Sequence, residues 1–313
     1  MKWGKLSDPW RTQSAVTQVN QSGKSIDDLP RNLSKLREVS QLLVDHYQGN
    51  SDGSHSDGFT GPVSGERLKE VDLRFAEAML LRLLEIGPAN LSSARLPAER
   101  IAGCCRDFAT LFVTMARHKG FAARVRVGYA TYFRPGAYTD HVIAEVWDNR
   151  AGRWTLIDPE VSDSFTARAG FDPLNVPPNV FVTGPRAWMA ARSGEIDPEL
   201  FWGSSRSDML RHSKGWFSLR HHVVQDLAAL NKAEMLVWDQ WGILEEDDPL
   251  ERADVMDLLA RETSDSNCTA DKIARRGREE GFRVPRKVTS YSPAYKSPLK
   301  VDVGRVLEGM LNS

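Results

Sequence analysis

The chain has 313 residues, of which 41% are hydrophobic, 27% charged and 9% aromatic, and it carries a net charge of −1 at pH 7. At about 100–200 residues per domain, this length corresponds to about two domains. The hydrophobic content is too high for a disordered protein. Because basic residues are not in excess, we expect neither nucleic acid nor an anionic membrane surface as the main partner.

Cysteine content and hydropathy bear on the expected cellular location. The three cysteines, Cys104, Cys105 and Cys268, include an adjacent pair and are too few for a disulfide framework, which is typical of a reducing compartment. The first residues lack the apolar centre of a signal peptide. The sequence has no run of about 18 apolar residues, which a membrane-spanning helix needs. We therefore predict a cytoplasmic protein without a membrane partner.

Two helices are predicted in the first part of the chain. Apolar residues recur at helical spacing over residues 30–47 and again over 66–86. Between them, residues 48–65 are rich in Gly, Ser and Asp and predict a mobile loop. A third helix is predicted over 105–119, with Gly120 at its C-terminal end.

Strand-like runs follow the third helix. They cover residues 122–133, 141–147 and 154–158, and the last two flank a short turn at 148–152 that predicts a β-hairpin. Residues 161–185 contain four prolines and predict an irregular connection.

The chain is expected to divide into three regions. Residues 1–65 form a helical and flexible N-terminal region, 66–185 a compact core, and 186–313 a mostly helical extension. Within the extension, residues 216–241 are predicted to form a long amphipathic helical segment that ends at Gly242.

Cys105 is the strongest candidate for a reactive group. It lies at the first turn of the predicted 105–119 helix, where a thiol is close to the positive end of the helix dipole. With a neighbouring histidine, such a position lowers a cysteine pKa from about 8.5 to as little as ~3.5–7.5, which gives a thiolate at neutral pH. A thiolate is the nucleophile that covalent acyl chemistry needs. Cys105 is therefore the predicted nucleophile, whereas Cys104 is assigned to packing.

A general base and a group that orients it are predicted on the β-hairpin. His141 begins one strand and Asp158 ends the next. If the strands pair about the 148–152 turn, these two residues lie opposite each other or within one pair. A carboxylate at that position can hold the imidazole in the tautomer that accepts a proton from the thiol.

Four sequence blocks together resemble one known family. In chain order they are GCCRDFA at 103–109, RVRVGY at 124–129, DHVIAEVW at 140–147 and WTLIDP at 154–159. The blocks are similar to the Gly-x-Cys-x-Asp, Arg-x-x-x-Gly-Tyr, His-x-x-x-Glu-Val and Trp-x-x-x-Asp-Pro motifs of the transglutaminase-like superfamily, which shares a papain-like catalytic arrangement.

The resemblance implies a fold, a site and a reaction. The fold is α+β, with a papain/transglutaminase-like core in which the helix bearing the cysteine packs on an antiparallel sheet. Cys105 is implied as the nucleophile, His141 as the general base and Asp158 as the residue that orients it. The reaction is acyl transfer through an acyl-enzyme. The acyl donor is an amide, ester or thioester in a small molecule, a peptide or a carrier-bound group, and the acceptor is an amine or water. Calcium dependence is not implied, because no acidic cluster of the kind that binds calcium in animal transglutaminases is present.

Three other functions remain open from the residues. The first is a hydrolytic amidase or cysteine protease, and the second is a non-catalytic scaffold on the same fold. The third, a thiol–disulfide protein that uses Cys104 and Cys105, is disfavoured because adjacent cysteines lack the spacer of redox motifs.

No cofactor and no metal ion are predicted, because the sequence lacks nucleotide-binding and zinc-binding motifs. His221 and His222, with Asp226 nearby, are interpreted as a partly buried helix surface rather than a second site.

Overall fold

The computed structural model describes residues 7–49, 62–203, 213–264, 268–308 and 310. Most of the loop predicted at 48–65 lies outside the described residues. Within these ranges, no helix combines the length and the apolar character that crossing a membrane requires.

The α-helices of the described ranges are short or medium in length. In chain order they are α1 (Lys24–Asp27), α2 (Leu33–Leu43), α3 (Ala76–Ile86), α4 (Cys105–His118), α5 (Asp163–Ala169), α6 (Gly184–Arg192), α7 (Gly215–Leu230), α8 (Ala253–Ser264), α9 (Ala270–Gly277) and α10 (Gly304–Leu307). The helix predicted over 66–86 is divided. Gly65–Asp72 is a 3-10 helix, and the backbone is extended at Leu73 and Phe75 before α3 begins.

The strands of the described ranges form three sheets. In chain order they are β1 (Val44–His46), β2 (Ile101–Gly103), β3 (Ala123–Ala130), β4 (Tyr138–Asp148), β5 (Arg153–Ile157), β6 (Phe181–Thr183), β7 (Phe201–Trp202), β8 (Asp239–Gln240), β9 (Lys287–Ser290) and β10 (Leu299–Asp302). The largest sheet has the order β5-β4-β3-β6, and β7 pairs with the start of β4. A parallel pair, β1-β2, and a three-stranded sheet, β10-β9-β8, make up the rest.

The chain divides into two compact units. Trp10–Val125 and Ile143–Pro177 form one unit, which we call the cysteine unit. Met1–Pro9, Arg126–Val142 and Pro178–Ser313 form the other, which we call the histidine unit. The boundaries predicted at residues 65 and 185 stay predictions.

Within the cysteine unit, α4 is the most deeply buried helix. Every residue of α4 except His118 is buried, and α2 packs against it. The helix ends as predicted, because Gly120 has a left-handed φ of 79° that other residues rarely adopt. At the other end, β2 leads directly into α4 through Cys104, and β1 holds β2 in place by pairing His46 with Gly103.

The predicted β-hairpin is present in the same unit. Ala144 of β4 pairs with Ile157 of β5, and Trp147 pairs with Trp154 in antiparallel register. The two tryptophans are buried edge to face, with ring centroids 5.5 Å apart. The register is thereby fixed by large side chains, because a shift of one strand by one residue would turn its indole away from the other indole.

Within the histidine unit, α7 differs from the amphipathic 216–241 helix predicted from the sequence. It ends at Leu230, and the chain turns at Lys232, whose φ of 65° is left-handed. All residues from Ser218 to Leu230 are buried, because α6, α9, β6 and β7 pack around the helix. A helix enclosed on all sides has no solvent-exposed face, and its polar side chains are buried, so the amphipathic interpretation was wrong.

The predicted α+β fold class is confirmed, and two local features differ. The connection at 161–185 is not wholly irregular, since it contains α5 and β6. The mostly helical extension also contains the three-stranded β8–β10 sheet. Its strands have two to four residues each, too few for a clear alternation of apolar and polar positions.

Candidate active site

Cys105 is the first residue of α4, as predicted. The N-cap is Cys104, whose carbonyl accepts the backbone N–H of Asp107 at 2.8 Å. Cys105 is 9% exposed. The first amides of a helix have no partner within the helix, so N–H groups and the positive end of the dipole lie next to the sulfur. In general, a helix N-terminus favours a thiolate over a neutral thiol and stabilises the oxyanion of an acyl-transfer intermediate.

The residues around Cys105 explain its sequence motif. Asp107 Oδ2 accepts the N–H of Cys104 at 2.9 Å, and Oδ1 lies 3.1 Å from Arg106 Nη1. A Cβ atom at Gly103 would lie 2.8 Å from Asp107 Oδ2, so only glycine fits there. Burial raises the pKa of the Asp107 carboxyl group, although the Arg106 charge opposes it. Gly103 and Asp107 therefore fix the turn that presents Cys105.

Cys104 and Cys105 have different environments. Cys104 is 3% exposed, and the pKa of its thiol is raised. The hydrogen bond with Cys105 is the largest single influence and lowers that pKa, but burial and the charge of Asp107 together outweigh it. Cys104 is thus held as a neutral thiol inside the fold, in agreement with its assignment to packing.

Asp158 directly follows β5 and is fully buried. Its backbone N–H donates to the carbonyl of Pro173 at 2.8 Å. Its Oδ1 atom accepts the backbone N–H groups of Glu160 at 2.9 Å and Val161 at 3.4 Å. The carboxylate therefore closes a turn of its own chain, and these bonds hold the side chain in one orientation.

Arg37 of α2 anchors the segment after β5 and was missed in the sequence analysis. Its Nε donates to the carbonyl of Asp158 at 2.8 Å, and Nη2 donates to the carbonyl of Val161. Nη1 lies 2.6 Å from Asp163 Oδ1. The sequence could have indicated this role, because Arg37 lies four residues after Leu33, on the apolar face of the predicted helix. A charged side chain at such a position needs hydrogen-bond partners inside the fold.

Glu160 is a second carboxylate close to the nucleophile. It is 3% exposed, and its carboxylate oxygen lies within 4.8 Å of Cys105 Sγ. His46 Nε2 lies 3.9 Å from Glu160 Oε1. A thiolate and a carboxylate are both possible metal ligands. Neither Glu160 nor His46 was predicted, although a glutamate two residues after Asp158 was visible in the sequence.

His141 lies on β4, within the histidine unit. It is 2% exposed, and aromatic rings meet its imidazole edge to face. The centroid distances are 5.0 Å to Phe133, 5.9 Å to Tyr132 and 6.3 Å to Phe181. Packing thereby fixes the plane of the imidazole. Of the three predicted site residues, Cys105 and Asp158 belong to the cysteine unit and His141 to the histidine unit.

A second group of buried titratable residues surrounds His222 in the histidine unit. The Tyr129 hydroxyl lies 2.8 Å from Ser218 Oγ and 3.0 Å from His222 Nδ1. Burial lowers the pKa of His222, although the charges of Asp140 and Asp226 oppose it. Burial also raises the pKa of Tyr129 well above its usual value. His222 is thus kept neutral within a hydrogen-bonded network.

Asp226, four residues after His222 on α7, has separate hydrogen-bond partners. It accepts hydrogen bonds from Arg126 Nε at 3.0 Å and Nη2 at 2.9 Å, and from the N–H of Val127 at 2.8 Å. His221 Nε2 lies 2.9 Å from the carbonyl of Val237. Both histidines are buried, so the interpretation as a partly buried helix surface was wrong, because helices and strands enclose α7.

The class of the core follows from its fold and from the position of Cys105: it is an α+β core with a thiol at the N-terminus of its central helix. Residues 87–159 match the family model of the transglutaminase-like superfamily. This range includes α4, β3, β4 and β5. The resemblance inferred from the four sequence blocks is thereby confirmed for this segment, and it supports cysteine-based catalysis in general.

Comparison with other proteins adds little beyond this family match. A search of curated proteins finds no match. A solved structure from Cytophaga hutchinsonii, provisionally described as a cysteine protease, has 18% sequence identity. The alignment covers 56% of this chain and 45% of that one, so it spans less than half of the other protein. Its TM-score is 0.31, too low to contribute to the assignment.

Proposed function

We propose that the protein is a cysteine-dependent acyltransferase in which Cys105 is the nucleophile, His141 the general base and Asp158 the residue that positions the imidazole. The observation that carries the proposal is the nearly buried Cys105 thiol at the first turn of α4. This turn lies within the segment that matches the transglutaminase-like family. The conformational restraint on Asp158 and the aromatic packing of His141 support their roles, because catalytic groups need fixed orientations.

The proposed reaction has two steps. In the first, the Cys105 thiolate attacks the carbonyl carbon of an amide, ester or thioester. The C–S bond forms, the leaving group departs with a proton from the His141 imidazolium, and a thioester remains on Cys105. In the second, the acceptor attacks the thioester and gives its proton to His141. The C–S bond breaks and the thiolate returns. N–H groups of the first turn of α4 stabilise the oxyanion in both steps.

The burial of Cys105 favours an amine as the acceptor. With 9% of the residue exposed, water has limited access to a thioester at this position, and exclusion of water protects an acyl intermediate from hydrolysis. The acyl donor is proposed to be a small molecule, a peptide or a carrier-bound acyl group. Hydrolysis, as in an amidase or protease, is the competing outcome of the same acyl-enzyme.

The hairpin register makes Glu160 an alternative to Asp158 as the positioning residue. In the observed β4–β5 ladder, Ala144 pairs with Ile157. If the same register continued past the end of β5, Glu160 would lie opposite His141. Asp158 Oδ1 accepts two backbone N–H groups, so that oxygen serves the local turn. Comparing Asp158→Asn with Glu160→Gln separates the roles. The variant of the positioning residue shifts the pH profile of kcat/KM, whereas loss of a turn contact lowers stability without that shift.

The experiment is a burst assay with p-nitrophenyl butyrate, followed by intact-mass spectrometry. The wild type is expected to release one equivalent of p-nitrophenol rapidly and to gain one butyryl group on Cys105. With glycinamide present, butyryl-glycinamide should exceed butyrate. Cys105→Ser should show neither the burst nor the adduct. Equal p-nitrophenol release by wild type and Cys105→Ser would contradict the proposal, and butyrate alone would favour the hydrolytic alternative.

A further inference from the structure

An exposed tryptophan stands beside the strand that carries His141. Trp202 of β7 is 38% exposed. Its backbone is held on both sides: it pairs with Thr139 of β4 in parallel register and forms an antiparallel bridge with Lys214. Paired residues of neighbouring strands point to the same face of a sheet. The indole is therefore presented to solvent by a fixed backbone.

Two cations flank the indole. Lys214 Nζ lies 4.4 Å from the Trp202 ring centroid, and the guanidinium carbon of Arg134 lies 5.7 Å from it. Arg134 comes from the loop between β3 and β4 and is itself exposed. Among the described residues it makes no ion pair with a carboxylate. The surface thus combines an exposed aromatic side chain with two positive charges.

The position of this surface relates it to His141. Thr139 and His141 are two residues apart on β4, so their side chains point to the same face. Trp202 is in register with Thr139. From the strand spacing and the rise per residue, the Cα atoms of Trp202 and His141 are about 8 Å apart. Tyr132 and Phe133, which pack on His141, belong to the same β3–β4 loop as Arg134.

We propose that Arg134, Trp202 and Lys214 form a substrate subsite that binds a carboxylate of the acyl donor, a few bonds from the reacting carbonyl. The inference rests on the proposed acyltransferase function and names its substrate class, an acidic acyl donor. The two cations bind the carboxylate through charge-assisted hydrogen bonds. The indole packs against the methylene groups between the carboxylate and the carbonyl.

Glu199 is the anion that occupies this surface without a substrate. Its Oε2 atom lies 2.8 Å from Lys214 Nζ, and both side chains are substantially exposed. An ion pair of this kind is weak, because water screens both charges. A substrate carboxylate that contacts Arg134 as well can therefore replace Glu199 at Lys214.

The test compares two p-nitrophenyl esters of equal length. The monoester of glutaric acid carries a terminal carboxylate, whereas the valerate ester carries a methyl group in its place. The wild type is expected to acylate Cys105 about tenfold faster, in kcat/KM, with the glutarate ester, as charged hydrogen bonds imply. Arg134→Gln and Lys214→Gln should each reduce the ratio of kcat/KM for the glutarate ester to kcat/KM for the valerate ester several-fold. Lys35→Gln is the matched control, because Lys35 is also exposed and paired with a glutamate.

Binding to an inactive variant separates the subsite from the chemistry. Isothermal titration calorimetry measures the monoanilide of glutaric acid and the anilide of valeric acid against Cys105→Ser. The glutaric compound should bind more tightly than the valeric compound to Cys105→Ser, and the difference should disappear in the double variant Cys105→Ser, Lys214→Gln. That result would support the subsite even if no ester acylates Cys105. In that case only the acyltransferase proposal would fail. Equal affinity for the two anilides, or equal acylation by the two esters in wild type and variants, would overturn the subsite.

Discussion

Two clusters of buried polar residues, one around His222 and one around Cys105, differ in whether they contain a strong nucleophile. Around His222, a tyrosine, a serine and a histidine bond to one another, and Asp226 accepts three hydrogen bonds from Arg126 and the backbone. Around Cys105, the carboxylate of Asp107 accepts the backbone N–H of Cys104. That bond fixes the turn on which a nucleophilic sulfur is presented.

Burial and perturbed pKa values do not identify a catalytic site by themselves. His222 and Tyr129 have shifted pKa values because they are buried, yet their network contains no strong nucleophile. Cys105 combines a nucleophilic atom, a helix N-terminus and a nearby carboxylate. We therefore expect changes at the first cluster to affect stability and changes at the second to affect activity.

The largest expected effect is at Cys105. Cys105→Ala should reduce acyl transfer from p-nitrophenyl butyrate to the uncatalysed background, because the covalent intermediate cannot form. The melting temperature should change little, since a single sulfur atom is removed. Cys268→Ala, which removes another buried thiol, is the matched control and should keep full activity. Residual burst kinetics in Cys105→Ala would assign the nucleophile to another residue.

A smaller loss of activity is expected at His141. His141→Gln should lower kcat by about 10²–10⁴-fold, the usual contribution of a general base. His222→Gln should keep kcat within a small factor of the wild type, because His222 bonds to Tyr129 and Ser218 inside the histidine unit. Steady-state kinetics of the two variants provide the measurement. Similar losses of kcat in both variants would contradict the assignment of His141 to catalysis and of His222 to stability.

The third effect concerns stability. Asp226→Asn should lower the free energy of unfolding by about 3–5 kcal/mol, because it breaks the buried ion pair of Asp226 with Arg126. Asp302→Asn removes an exposed pair with Arg286 and should leave the free energy of unfolding nearly unchanged, because water screens both charges. Urea denaturation measures both. Equal stability losses would show that the buried Arg126–Asp226 pair stabilises the fold no more than the exposed Arg286–Asp302 pair does.

The smallest effect is a pH dependence at His222. The pKa of this histidine is lower in the folded protein than the ordinary value of 6.5. Below about pH 6.5 the unfolded chain therefore binds a proton that the folded protein does not, and stability falls as the pH falls, by at most about 1.4 kcal/mol per pH unit. Urea denaturation at pH 7.5 and pH 5.5 should show a smaller drop for His222→Gln. The same drop in both proteins would contradict this linkage.

The sequence predicted the core best where local rules and packing agree. The start of α4 at Cys105, its end near Gly120 and the β4–β5 hairpin follow from capping, glycine and turn signals that lie within a few residues of one another. The length of α7 was not predictable in this way. Its apolar pattern continues past Leu230, and the left-handed turn at Lys232 depends on tertiary packing.

The candidate site was only partly predictable for a related reason. Cys105, His141 and Asp158 lie in recognisable sequence blocks, whereas Arg37 and His46 come from a segment far away in sequence. Long-range contacts of this kind leave no periodic signal. The β4–β5 register depends on the Trp147–Trp154 pair. The turn alone allowed the register to be estimated only to within about one pair of residues. Glu160 was overlooked because the estimated register placed Asp158 near His141.

Activation of Cys105 by His141 is tested most directly by the rate of iodoacetamide labelling of each cysteine against pH, read by mass spectrometry, in wild type and His141→Ala. We expect rapid labelling of Cys105 near pH 6, slowed by the substitution, and slow labelling of Cys104 and Cys268 in both proteins. Labelling of Cys105 only above about pH 8, as for an ordinary thiol, with the same rate in His141→Ala, would contradict the activated cysteine and favour a non-catalytic scaffold.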